Sequence, residues 1–193
     1  PTRVEFFSEA FAQTLINEGK RPSLICSANV LAHVPDINDF VKGLATLLTG
    51  DAVYTVEFPH LLNMIEKVQF DTIYHEHYTY LSLVFVERIF AAFGMRVFDL
   101  DTLPTHGGSL RIYACLADAS HSETTAVADM RATEHAAGLD SARGYEGYDE
   151  KVKAVRTGLL AFLKKTKSAG KTVAAYGATA KGNSLLNYCE VNA

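Results

Sequence analysis

Residues 70–80 read FDTIYHEHYTY, which crowds His75, Glu76, His77 and three tyrosines into eleven positions. Imidazole, carboxylate and phenol are the side chains that move protons near neutral pH. Three readings compete. Extended, the stretch sets His75 and His77 on one face, as a pair of metal ligands would be. A catalytic zinc needs three protein ligands. Glu76 and His60 are the only local additions, and no HExxH helix spacing is present. An inert, hydrogen-bonded polar loop is the second reading. The third is an acid–base centre in which a histidine takes up a proton, Tyr74 donates to a developing oxyanion and Glu76 orients a neighbour. The acid–base reading is favoured.

Three further stretches could meet this one. SANVLAHVPD puts Asn29 and His33 directly after an apolar run, and ligands of open α/β sheets sit outside the carboxyl ends of strands. LPTHGGSLRIY carries His106 before two glycines and Arg111 on the outgoing segment. The glycines permit close backbone approach or positive φ. A tight turn alone would explain that stretch equally well. YGATAKGNS sets Gly177 before Lys181, Gly182 and Asn183 at a helix entry, where free amides favour an anion. It is neither a P-loop nor a complete dinucleotide fingerprint.

The elements that must position these residues follow from hydrophobic spacing. Residues 5–18 and 81–94 have helical periodicity closed by Gly19 and Gly94. Residues 23–30 and 51–59 are strands flanking a helix from about 38 to 48, capped by Asp36 or Asn38, an alternation that indicates a parallel sheet. Residues 95–103 and 108–116 are two strands whose short connection predicts an antiparallel pair. Composition shifts near residue 117 towards small and charged residues. A long helix is expected at 148–170, then a strand, a glycine turn and a helix over 171–189, opening a second α/β domain.

Length and composition bound the rest. A chain of 193 residues, 48% hydrophobic and 21% charged, can bury a substantial core. The net charge of −4 offers no basic field for nucleic acid, and no apolar run reaches the roughly 18 residues of a membrane span. Cys26, Cys115 and Cys189 lack CxxC spacing, so reduced thiols in a cytoplasmic protein are expected. The chain opens on Pro1 and closes on YCEVNA, which reads as an internal piece of a longer protein.

The apolar strand, NVLAHVPD, the amphipathic helix and LLTGDAVYTVE resemble the second half of class I S-adenosylmethionine-dependent methyltransferases. Taken with VEFPHLL, FDTIYHEHYTYLSL, THGGSLRIY and YGATAKGNSLLNYC, in this order, the chain resembles the C-methyltransferases of nucleotide-linked deoxysugars from about residue 20 to 189. That resemblance implies residues 1–118 as the C-terminal half of the methyltransferase domain, and 119–193 as connecting helices and the first β-α unit of a C-terminal α/β domain. It implies S-adenosylmethionine bordered by Ala28, Asn29 and Val30. It implies a small-molecule partner, a dTDP-linked 4-keto sugar, contacted by His75, His106, Arg111, Lys181 and Asn183. His77 would remove the C-3 proton, with Tyr74 as alternative base or oxyanion donor, Glu76 as supporting carboxylate and His33 as polar partner. In-line methyl transfer to the enolate carbon would follow. The family's zinc would belong to an N-terminal cysteine-bearing domain that these residues do not include. So would the glycine-rich donor loop belong to an absent first half-sheet, and the piece alone is expected to be inactive. An O- or N-methyltransferase, or a non-catalytic nucleotide-sugar or NAD-binding module, remain the alternatives.

Overall fold

The computed structural model describes residues 2–177 and 180–191. Its centre is a four-stranded mixed sheet of β1 (Leu24–Ala28), β2 (Val53–Pro59), β3 (Met95–Leu103) and β4 (Ser109–Leu116), in the spatial order β1-β2-β4-β3. β1 and β2 are parallel, with Leu24 opposite Val53 and Ala28 opposite Glu57. β4 returns from β3 and inserts between β3 and β2, antiparallel to both. The mixed α/β sheet ending in an antiparallel pair is thus as expected from the spacing.

Alternation decides which face is buried. Tyr54, Val56 and Phe58 of β2 and Leu110, Ile112 and Ala114 of β4 are fully buried on one face. Period-2 patterning puts their neighbours Thr55, Glu57, Arg111 and Tyr113 on the other, which stays half-exposed. Three helices cover the apolar face: α2 (Ile37–Leu47), α4 (Leu83–Ala92) and α5 (Thr125–Ala137). They contribute Phe40, Val41 and Leu44, then Val86 and Phe90, then Val127 to one core.

Side-chain caps set some of the helix starts. α1 (Glu9–Asn17) begins later than periodicity suggests, because the Ser8 hydroxyl accepts from the Phe11 amide and ends the extended entry there. Asp36, of the two candidate caps, is the one used: its carboxylate accepts from the Asp39 amide at 3.0 Å. α1 lies close on α2 at Gly43, where a Cβ would come within 2.7 Å of the Ser8 carbonyl oxygen. α3 (Leu61–Glu66) follows β2 directly.

The C-terminal portion differs from expectation at one place. α6 (Tyr148–Ser168) and α7 (Ala180–Tyr188) form, but residues 171–177 are not a strand. They are exposed, and a strand needs a neighbour to satisfy its amides. The turn at 178–179 lies outside the described residues. α7 packs back on the 3-10 turn Phe70–Thr72, where the Phe70 and Tyr188 rings meet edge to face at 5.0 Å.

Candidate active site

The strand ends of β1 and β2 and the β3–β4 connection converge on one side of the sheet. β1 stops at Ala28, and Asn29 turns the chain with φ of 54°. Its amide donates to the Glu57 carbonyl at 2.8 Å, so the turn is built from the ladder itself. The chain then enters a 3-10 turn, Leu31–His33. The carbonyl of Ala32 accepts from both Tyr78 and Thr79 amides, which docks the YHEHYTY segment onto the end of β1.

His77 sits at the middle of this junction. Its ring is half-buried, and Nδ1 lies 2.8 Å from the Thr72 carbonyl oxygen. A carbonyl can only accept, so Nδ1 carries the proton and the neutral ring presents Nε2 as the basic nitrogen. The His33 ring stands edge-on at 4.7 Å, the Tyr74 ring lies against His77 at 4.3 Å, and Tyr80 closes a third side at 6.1 Å. Burial lowers the pKa of His77 below 6.5. The Thr72 carbonyl opposes this, while the positive fields of His33 and Lys181 add to it. Burial, with the charge of Glu76, raises the Tyr74 phenol, which therefore keeps its proton and can donate it.

Of the supporting roles expected, one is taken by a different group. Glu76 is exposed and acts on the site only through its charge; the His77 tautomer is held by the Thr72 main chain instead. A main-chain carbonyl has no signature in the sequence, so residue types alone did not point to it. His75 is exposed, and no group of three or more metal-ligating side chains forms among the described residues.

The THGG connection reaches the same junction. His106 adopts φ of 53°, and the Asn29 amide nitrogen Nδ2 lies 3.2 Å from its Nε2. Nδ2 is a donor, so Nε2 accepts and the neutral His106 ring keeps its proton on Nδ1. Gly107 and Gly108 have φ of 85° and 128°. A Cβ on Gly108 would lie 2.5 Å from the Asn63 side chain, and one on Gly107 would overlap that of Gln69. The Gly107 carbonyl accepts from Lys67 at 2.7 Å, and the Gly108 carbonyl from the His60 amide at 3.0 Å. His77 and His106 line one small cavity with Thr79, Tyr80 and Met64.

The other predicted residues divide. Lys181, at the start of α7, is brought within electrostatic reach of His77. Asn183 on the same helix is exposed. Arg111 lies elsewhere, on the open sheet face beside Ala28, where its guanidinium pairs with Glu57 at 3.0 Å. Glu57 also accepts from the Thr105 hydroxyl at 2.9 Å, and these contacts hold its carboxyl below the usual range. Ala28 and Val30 are both exposed beside the Asn29 turn, Val30 by 40%.

A buried carboxylate that residue patterning did not single out supports the whole junction. Glu134 of α5 is fully buried and accepts from His60 Nε2 at 2.7 Å. It also accepts from the amides of Leu83 and Val84 at 2.7 and 2.9 Å, satisfying the first turn of α4. His60 in turn accepts at Nδ1 from Asn63, the side chain packed on Gly108.

Residues 104–193 match the family described as the C-methyltransferase C-terminal domain. The chain is 38% identical over 166 residues to C-methyltransferase NovU of Streptomyces niveus, an alignment that covers 86% of this chain and 40% of that protein. The chain therefore spans about two fifths of the length of this relative. Among solved structures, a putative methyltransferase in complex with the Haloferax volcanii Trm112 activator aligns with a TM-score of 0.42 and 13% identity, over 50% of this chain and 54% of that one. Magnesium protoporphyrin IX methyltransferase from Synechocystis PCC 6803, solved with bound SAH, aligns at 0.38 and 16%, over 50% and 45%. These sequence matches make the chain similar to C-methyltransferases, with residues 104–193 matching the C-terminal domain of that family.

Proposed function

We propose that the protein to which this chain contributes is an S-adenosylmethionine-dependent C-methyltransferase whose acceptor is a nucleotide-linked 4-keto deoxysugar. The observation that carries the reading is the His77 ring: its Nδ1 proton is committed to the Thr72 carbonyl, its Nε2 is left basic, and burial keeps it neutral at pH 7. Forming a carbon–carbon bond requires a carbanion equivalent, and a ketone makes the adjacent C–H acidic enough for a histidine base. His77 Nε2 takes the C-3 proton. The Tyr74 phenol, held protonated, donates to the oxygen on which charge develops. Lys181 supplies positive field on the same side, which favours an anionic intermediate.

The residues at the end of β1 suit one wall of the donor site. Ala28 and Val30 are exposed apolar side chains, and the Asn29 side-chain carbonyl Oδ1 is buried without a partner among the described residues. S-adenosylmethionine, when bound, supplies an electrophilic methyl group. His106 and Lys181 are assigned to the sugar nucleotide, and residues 1–118 and 119–193 to a methyltransferase half-domain and the approach to a second α/β domain. The full-length protein, given a ¹³C-methyl donor and a dTDP-linked 4-keto sugar, is expected to yield a methyl carbon coupled to a sugar carbon in the NMR spectrum. A label on oxygen or nitrogen would contradict the proposal.

A further inference from the structure

Thr79 lines the His77–His106 cavity, and among the described lining residues its hydroxyl is the one buried side-chain polar atom without a hydrogen-bond partner. Its amide is engaged separately, donating to the Ala32 carbonyl. A hydroxyl has one proton to donate and two lone pairs to fill. Leaving such a group unmet away from water costs about as much as losing a whole hydrogen bond, so buried hydroxyls nearly always have a partner.

The cavity beside it is small and mixed in character. Met64 and Leu81 give apolar walls; His77, His106 and Tyr80 give polar ones. It leaves about 20 Å³ for the centre of a water-sized sphere. A single oxygen needs roughly 10–15 Å³ by comparable reckoning. A phosphate or a sugar ring does not fit; one hydroxyl or carbonyl oxygen does. Both histidines are fixed in tautomer by other groups, the Thr72 carbonyl and the Asn29 side chain, so neither needs Thr79.

We infer that Thr79 determines acceptor specificity by binding one substrate oxygen, a hydroxyl or carbonyl close to the reacting carbon, in a cavity that a water molecule occupies before the acceptor arrives. The substrate part of this inference rests on the keto-sugar reading of the site; the oxygen site itself does not. The cavity discriminates against an acceptor lacking that oxygen, because binding it would strand the Thr79 hydroxyl.

The test uses the full-length protein with Thr79→Val, which keeps the shape and removes the hydroxyl, and Thr79→Ser, which keeps the hydroxyl. High-resolution crystal structures of the free proteins should show an ordered oxygen within hydrogen-bond distance of Thr79 Oγ1, retained in Thr79→Ser and lost in Thr79→Val. Calorimetric titration with a dTDP-linked 4-keto sugar should show binding weakened ~10-fold or more by Thr79→Val and by less than ~3-fold in Thr79→Ser. The inference is overturned if no ordered oxygen stands at Thr79 in the unmodified protein, or if Thr79→Val binds the sugar within twofold of it. If the unmodified protein does not bind the sugar at all, the substrate reading fails by itself, and the crystallographic comparison still decides the oxygen site.

Discussion

The Thr72 main-chain carbonyl and the His77 ring form a hydrogen bond of 2.8 Å that settles which nitrogen of His77 can act as a base. Thr72 closes the 3-10 turn that begins at Phe70, and α7 packs on that same turn. The base is therefore tied to a segment on which the C-terminal helix packs. Its tautomer is observable: the ¹⁵N spectrum of the full-length protein should show His77 as the Nδ1–H form at neutral pH, whereas an Nε2–H pattern would contradict the assignment.

The pH dependence follows in sign from the burial of His77. Its folded pKa lies below 6.5, so the ring is neutral across the neutral range and gains its proton only at lower pH. The acidic limb of kcat/KM should fall below pH 6.5. As pH drops through 6.5 the unfolded chain binds the proton first, so the folded state loses stability between 6.5 and the folded pKa and is unaffected by this group above 6.5. An acidic limb above 6.5 would count against His77 as the base.

Lys181 and His33 push the His77 pKa in the same direction. Lys181→Met should raise the pKa of His77 towards 6.5 and move the acidic limb up with it. His33→Asn should act likewise, although loss of its edge contact also loosens the ring. An NMR titration of His77 unchanged by Lys181→Met would show that α7 does not bring its charge to the site.

Glu134 should matter for stability out of proportion to its distance from the chemistry. Removing it strips His60 Nε2 of its partner and leaves two amides of α4 unmet. Breaking a buried pair of this kind costs on the order of 3–5 kcal/mol. For a protein of this size, Glu134→Ala should lower Tm by roughly 6–20 °C in a calorimetric scan. A change within about 2 °C would mean that the carboxylate is replaceable by solvent.

Gly108 is held at a φ that other residues rarely adopt, against the Asn63 side chain. Gly108→Ala should cost about 1–3 kcal/mol through strain and close contact. It should also displace His106, since the turn that carries it is pinned through Gly108 to His60. Thermal unfolding reads the first effect and binding of the sugar nucleotide the second.

Much of the fold was legible because β2 alternates strictly, β4 alternates from Leu110 to Ala114, and α2 and α4 carry apolar stripes that begin at side-chain caps. The segment 171–177 looked like a strand by composition, yet composition cannot supply the neighbouring strand that a ladder requires. His33, Tyr74 and His77 were read together and do meet. Glu76 and Arg111 were read by residue type: one faces solvent, and the other is taken up by Glu57 across the strand pair. Glu134 sits in a helix rich in small and charged residues, where its burial depends on α4 and His60 arriving from distant parts of the chain.

The central claim is that His77 removes a proton from carbon. The full-length protein incubated in D₂O with a dTDP-linked 4-keto sugar and S-adenosylhomocysteine should exchange the C-3 hydrogen for deuterium, and His77→Gln should abolish that exchange by ~10²-fold or more while sugar binding persists. Exchange in His77→Gln at the unmodified rate would contradict the account.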